Sequence, residues 1–302
     1  MDQGECITLS DGRALEVATF GDPSMPTVLF HHGTPGSSRT IRLIWPLLER
    51  DEFFFVTTSR AGYGRSSRDA GRNIASVVAD VRAALGQLGR EEYVTLGWSG
   101  GGPHALACAA LDAPRCRGAV VLAGVVPTDV DVDWTEGMGP ENVEELALAL
   151  EGGPAFEAAI AAAGGPLADA TAKNVVELMG GLLSGPDQAV LLDDGLRGHF
   201  ADATAYGFKE GWRGFYDDNV AIFAPWGFDS TAITEPVDVF FGDQDLMVPP
   251  AHGHWLAEHL STATAHHYPD EGHLSIYINH FDEIAAALAA MFASSKVVRG
   301  PA

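Results

Sequence analysis

Between residues 73 and 89 the apolar side chains fall at Ile74, Val77, Val78, Val81, Leu85 and Leu88. This is a single stripe at helical spacing, and it predicts a helix that buries one face. The flanking segments follow other periods. Residues 7–9 and 14–20 alternate apolar and polar, as paired antiparallel strands do, and Ser10-Asp11-Gly12-Arg13 is the turn between them. Short continuous apolar runs at 27–31, 53–58, 93–96 and 118–123 predict strands buried on both faces. Helical patterns at 39–50, 73–89 and 105–111 separate them. Such alternation predicts an α/β fold, with a mostly parallel twisted sheet and helices on both faces.

The rhythm breaks after Val126. Residues 127–228 contain no buried-strand run and read as helices at 141–151, 155–163, 170–183, 187–204 and 211–224, parted by Gly-Gly and Pro. It then resumes with a strand at 237–241, a helix at 249–260, a strand at 265–268 and a closing helix at 281–292. The tail after Ser294 is expected to fray. The expected organisation is an α/β core from 1–126 and 229–302, interrupted by a helical cap at 127–228.

Charge narrows the function classes. The 302 residues hold 41 acids and 18 bases, a formal net charge of −23. Such a surface repels phosphate backbones and anionic lipid, so neither nucleic acid nor membrane is expected as a partner. No apolar run approaches the ~20 residues that span a bilayer. The first ten residues lack a basic region followed by an apolar core, so no signal peptide is expected. Three cysteines do not suggest a disulfide framework, which fits a reducing, cytoplasmic setting. A small-molecule substrate is the expected partner, and the oligomeric state stays open. Residues 127–228 carry 18 acids and 4 bases, net −14. That excess reads as a solvated outer face, or as an entrance that disfavours anions.

The densest chemical signal is Gly97-Trp98-Ser99-Gly100-Gly101, between a strand-like and a helix-like run. A G-x-S-x-G sequence in that setting is a nucleophile elbow. The serine takes a strained turn that close-packed glycines permit. The turn lifts the hydroxyl clear of the sheet and points the first helical amides at a developing oxyanion.

Four further stretches accompany the elbow: His32-Gly33-Thr34-Pro35-Gly36, Ser59-Arg60-Ala61-Gly62-Tyr63-Gly64-Arg65-Ser66, Gly242-Asp243-Gln244-Asp245 with Val248-Pro249, and Gly272-His273. Together, over nearly the whole length, the chain resembles the α/β-hydrolase fold family in its capped, serine-nucleophile branch. The resemblance implies Ser99 as nucleophile and His273 as its base. It places the orienting acid at Asp245 by the spacing from Gly242 to Pro249, with Asp243 and then Asp129 as alternatives. It implies oxyanion donors at the backbone N–H of Thr34 and Gly100, with His32 bracing their loop. Ser59 and Ala61 stand where the family pattern has Asp and Pro, which implies a more loosely braced loop.

A cap would close a pocket over Ser99, with Trp98 and Trp226 as expected substrate contacts. Trp134, Trp212, Phe215, Phe223 and Met138 are further candidates. His252 and His254 are two apart, not the four that put two ligands on one helix face, so no metal site is expected. No cofactor is expected either. The expectation is a serine hydrolase of a small, mostly apolar ester or lactone. Similar proteins cleave C–C bonds, release N-terminal proline or form peracids. Trp precedes the serine instead of following it, which counts against the peptidase, and serine at the nucleophile position counts against epoxide hydrolysis and dehalogenation. A ligand-binding receptor with slow turnover is the alternative of another class.

Overall fold

The structure, a computed structural model, describes residues 4–294; the tail after Ser294 lies outside them. Eight strands form one sheet in the order β1-β2-β4-β3-β5-β6-β7-β8. They are β1 (Glu5–Thr8), β2 (Ala14–Phe20), β3 (Thr27–His31), β4 (Phe54–Ser59), β5 (Tyr93–Trp98), β6 (Cys116–Leu122), β7 (Val237–Gly242) and β8 (Ala263–Tyr268). The β1–β2 and β2–β4 pairs are antiparallel, and every other pair is parallel.

The continuous apolar runs split between two cores by strict alternation. Val28, Phe30, Phe55, Val94, Leu96, Val120, Leu122 and Phe240 face one side. Leu29, Phe54, Val56, Ala119, Val121, Val239 and Phe241 face the other. A strand that feeds both cores has no polar face to show, so its sequence reads as an unbroken run.

The helices are α1 (Trp45–Leu48), α2 (Val77–Gln87), α3 (Gly102–Leu111), α4 (Pro140–Glu151), α5 (Gly153–Ala168), α6 (Val175–Leu178), α7 (Gly185–Val190), α8 (Asp194–Gly207), α9 (Arg213–Phe223), α10 (Pro250–His259), α11 (Ser275–Asn279) and α12 (Phe281–Ser294). Helices α2, α3 and α10 supply one core, and α1, α11 and α12 the other. Among the described residues no helix is long and apolar enough to cross a membrane.

Helices α4–α9 lie between β6 and β7, and here the boundaries depart from the sequence reading. Gly164-Gly165-Pro166 was expected to end a helix but lies inside α5. A side chain at Gly164 would meet Trp212 Cβ at 2.7 Å, so this glycine serves close helix packing and not a break. The continuous helix expected at 187–204 is two helices, because Asp193 caps α8 by accepting from Leu196 N–H at 2.7 Å. Only Val175–Leu178 and a short 3₁₀ turn are helical in the 170–183 stretch.

Candidate active site

Ser99 follows β5 directly, in a 3₁₀ turn (Ser99–Gly101) that leads into α3. Its φ is +56°, a left-handed conformation that costs a non-glycine residue ~1–3 kcal/mol and persists only where packing enforces it. The packing is visible at its neighbours. A Cβ on Gly97 would lie 2.4 Å from Gly101 O, and one on Gly101 would lie 2.3 Å from His31 O. A Cβ on Gly100 would strike Thr34 Oγ1 at 2.3 Å. The elbow and the Thr34 loop therefore approach too closely for any larger residue.

His273 lies in the loop after β8. Its Nδ1 is 2.7 Å from Asp245 Oδ2, and both side chains are buried. Asp245 is held in turn by the N–H groups of Met247 and Val248, each 2.8 Å from its Oδ1. A carboxylate at Nδ1 fixes the proton there and leaves the Nε2 lone pair free to act as a base. Burial works against the His273 cation, but the Asp245 charge and hydrogen bond, with Asp187 further off, outweigh it and raise the pKa above the ordinary histidine value. Asp243 does not reach His273; it pairs with His267 at the surface, 2.7 Å away. His31, at about 3, and His252, at about 4, are depressed mainly by burial. His32 and His104 are driven well below the usual value by the same cause.

His32 accepts Arg60 N–H at Nε2 (3.1 Å) and turns Nδ1 to Gly33 O (2.7 Å), which ties the Thr34 loop to the strand beside it. Arg60 donates to Gly33 O and to Thr34 Oγ1 at 2.9 and 3.0 Å. It also pairs with Asp218 of α9 at 2.5 Å. Asp218 further accepts from Thr34 Oγ1 (2.6 Å), Arg72 (2.7 Å) and Tyr63 (3.2 Å). Burial opposes the Asp218 charge, but Arg60 and Arg72 outweigh it and hold the carboxyl well below its usual range.

The 59–66 loop is not loosely braced. Buried Glu16 of β2 supplies the missing carboxylate. It accepts from Ser59 Oγ (2.7 Å), Arg65 Nε (2.9 Å) and Tyr206 OH (2.7 Å).

Asp187, in the first turn of α7, carries no signal in the local sequence. It is fully buried. Its carboxylate accepts the backbone N–H of His273 (3.1 Å), Leu274 (2.7 Å) and Ser275 (3.0 Å), together with Ser184 Oγ (2.8 Å). The loop that carries His273 is thus gripped from the helices between β6 and β7. A Cβ on Gly272 would lie 2.6 Å from Asp187 Oδ2, so glycine is what lets the carboxylate close on the loop.

Ser99, Gly100, Thr34, Trp98 and His273 all border one cavity of about 790 Å³, roofed by α4, α5, α6, α8 and α9. That is within the range of small-molecule sites. Trp134, Met138, Phe215 and Phe223 line it. Trp226 does not, which corrects the expectation. It is buried in the loop after α9, where its Nε1 donates to Ile222 O at 3.0 Å and its ring packs on Phe228. Trp212 also packs within the helical layer, against Tyr216. Trp98 borders the cavity and donates its Nε1 to His273 O at 3.1 Å, so it supports the histidine loop too.

The acids between β6 and β7 do not all face water. Glu141, Glu145 and Glu177 border the cavity, while among the described residues no Lys or Arg does. Burial lifts Glu145 to about 7, and Asn219 pulls it part of the way back. The exposed Asp243, His254 and His267 bring their donor atoms within 4.8 Å of one another, a grouping the His252/His254 spacing did not reveal.

Residues 26–146 match the α/β hydrolase fold family. A non-heme haloperoxidase of Rhodococcus erythropolis is 29% identical over 164 residues, 50% of this chain and 59% of that protein. A bifunctional esterase/perhydrolase of Acinetobacter calcoaceticus is 29% identical over 143 residues, 46% of this chain and 52% of that protein. The chain thus spans little more than half the length of the curated relatives it matches. Among solved structures, an esterase from Rhodococcus sp. ECU1013 superposes with a TM-score of 0.68 at 18% identity, covering 96% of this chain and 98% of that one. The enol-lactonase of Burkholderia xenovorans LB400 superposes at 0.66 with 19% identity, covering 96% and 100%. Sheet order, elbow and these likenesses together show that this chain has the α/β-hydrolase fold.

Proposed function

We propose that this protein is a serine hydrolase that cleaves a small, mostly apolar ester or lactone, with residues 127–228 serving as a cap over the site. The observation that carries the reading is the buried 2.7 Å contact between His273 and Asp245, opening on the cavity that Ser99 borders. In this reading Ser99 Oγ attacks the carbonyl carbon and passes its proton to His273 Nε2. Asp245 stabilises the resulting imidazolium. The N–H groups of Thr34 and Gly100 receive the oxyanion. His273 then returns the proton to the departing alkoxide, leaving an acyl group on Ser99. Water, deprotonated by His273, cleaves that ester and restores the serine. The setting is cytoplasmic, in keeping with three free thiols, and the partner is a small molecule, not nucleic acid or membrane.

A fluorophosphonate probe tests the assignment. It labels Ser99 in the wild type, and Ser99→Ala loses both the label and ester turnover. Equal labelling of the variant overturns the reading. The names of the two curated relatives favour a second outcome at the same acyl-enzyme: peroxide attacks in place of water, and a peracid leaves. Peroxide-dependent peracid release that disappears in Ser99→Ala is its signature.

A further inference from the structure

We propose that Asp243, His254 and His267 form a structural site for one divalent transition-metal ion of the zinc class, which fastens the ends of β7 and β8 to α10.

The three side chains come from three elements that the fold brings together. Phe241 and His267 are register partners across β7 and β8. Asp243 stands two residues beyond Phe241, and its N–H donates to Tyr268 O at 3.3 Å, so pairing with β8 continues past the end of β7. Its Oδ1 lies 2.7 Å from His267 Nε2. His254 arrives from α10. A Cβ on Gly253 would lie 2.2 Å from Phe241 Cγ, so glycine lets this helix press on the strand and sets His254 beside the pair. Packing then orients both imidazoles. Buried Phe241 stacks on His267 with ring centres 4.9 Å apart and meets His254 edge-on at 4.7 Å. Rings held in place lose less entropy on binding than rings that must be gathered.

The spacing is that of two imidazoles on one ion. Metal–nitrogen bonds of ~2.0–2.1 Å at the tetrahedral angle hold two such ring centres ~5.2 Å apart. The His254 and His267 centres are 5.1 Å apart. The Asp243–His267 contact has to open to ~3.3 Å, with the metal in place of the shared proton. All three side chains are exposed, so they can make that shift, and water takes the fourth position. Among the described residues His254 has ring contacts but no hydrogen bond, so no protein group competes for its lone pair.

The donor types select the ion. Two imidazoles and a carboxylate suit zinc, copper(II) or nickel, whereas magnesium and calcium take oxygen ligands. A chain of net charge −23 draws cations in. None of the three residues borders the cavity, so the ion holds structure together instead of touching substrate. It ties the strand ends from which the Asp245 and His273 loops depart, where Gln244 N–H already donates to Glu271 O at 2.9 Å.

Competition between the untagged, metal-stripped protein and a chromophoric chelator tests this. The wild type is expected to take up one equivalent of Zn²⁺ with a Kd of about 10 µM or tighter. His254→Ala and Asp243→Asn should each weaken that equivalent by about tenfold or more, while His259→Ala, at the C-terminal end of α10, leaves it within about twofold. Mg²⁺ in about 100-fold excess should not displace it. Zn²⁺ at about 100 times Kd should raise Tm by ~5 °C in the wild type and by less than about 1 °C in His254→Ala. A wild type with no equivalent tighter than about 10 µM overturns the proposal, whether or not the variants fold. An equivalent that survives His254→Ala or Asp243→Asn overturns it too, because the ion is then held elsewhere. Displacement by Mg²⁺ overturns the choice of ion. None of these readouts depends on turnover at Ser99, so the result stands apart from the hydrolase reading.

Discussion

Replacing Asp187 by Asn exchanges one carboxylate oxygen for an NH₂ in a buried site where every neighbour but one is a backbone donor. Oδ1 serves Leu274 and Ser275, and Oδ2 serves His273 N–H and Ser184 Oγ. If the new amide nitrogen takes the Oδ2 position, Ser184 can turn its hydroxyl to accept, but His273 N–H then faces a donor. An unmet buried N–H costs ~1–3 kcal/mol, and the two surviving bonds each weaken from the charged to the neutral class, by ~1 kcal/mol. Removing a buried charge offsets part of this, so a net loss of ~2–4 kcal/mol in unfolding free energy is expected. The same loop carries the base, so kcat should fall by about tenfold while KM moves little, the pattern of a lost positioning contact. One readout separates positioning from mere stability. Asp187 helps to raise the His273 pKa, so Asp187→Asn should also move the acid limb of kcat/KM to lower pH. Denaturant unfolding followed by a pH–rate series on the folded variant checks both. Wild-type stability with an unmoved acid limb would refute the grip described for this carboxylate.

Gly272→Ala should act on the same contact from the other side, pushing the carboxylate off the loop and lowering kcat, and Asp187→Asn should add little on top of it; independent, additive losses would break the link. Activity needs neutral His273, whose pKa is raised, so kcat/KM should fall as pH drops through a value above the ordinary ~6.5, and Asp245→Asn should cut kcat by about 10³–10⁴. Folding favours the protonated form of His273, so its contribution to stability is complete below the unfolded pKa and fades as pH rises through the folded one. Trp226→Phe should cost ~1–2 kcal/mol through the lost bond to Ile222 O and leave acyl-chain selectivity unchanged, because the ring lies outside the cavity. With carboxylates and, among the described residues, no Lys or Arg on the lining, a neutral ester should exceed its carboxylate-bearing match in kcat/KM by about tenfold, and the reverse order would mean that a base such as Arg197 or Arg213 turns inward.

The sheet was readable because each buried strand feeds two cores and so presents an unbroken apolar run, and the elbow because its glycines are consecutive in sequence. The supports around it were hidden by distance along the chain. Glu16 braces Ser59 across 43 positions, and Asp187 reaches His273 across 86; no local period encodes either contact. Aromatic content suggested Trp226 as a cavity wall, but a ring's direction follows from the packing around it, and in the loop after α9 Trp226 turns toward Phe228. One contact of this kind does have a local signal. Glu141 and Glu145 are four apart, which puts both on one face of α4 beside Leu146. Read as a face and not as a charge total, that spacing separates acids at the cavity from acids in solvent.

The carboxylates of Asp187 and Asp218 each reach out of the helices between β6 and β7 and close on partners carried by the sheet and its loops: the loop from Gly272 to Ser275 for one, Arg60 and Arg72 for the other. Shuffling parts between relatives has to respect this. A hybrid that borrowed residues 127–228 from a protein lacking these two acids would strand two guanidinium groups and three backbone amides inside the recipient, whatever the fit of its apolar surfaces. Transplanting the segment therefore requires moving the acids with it, or rewriting positions 60, 72 and 272 in the host at the same time.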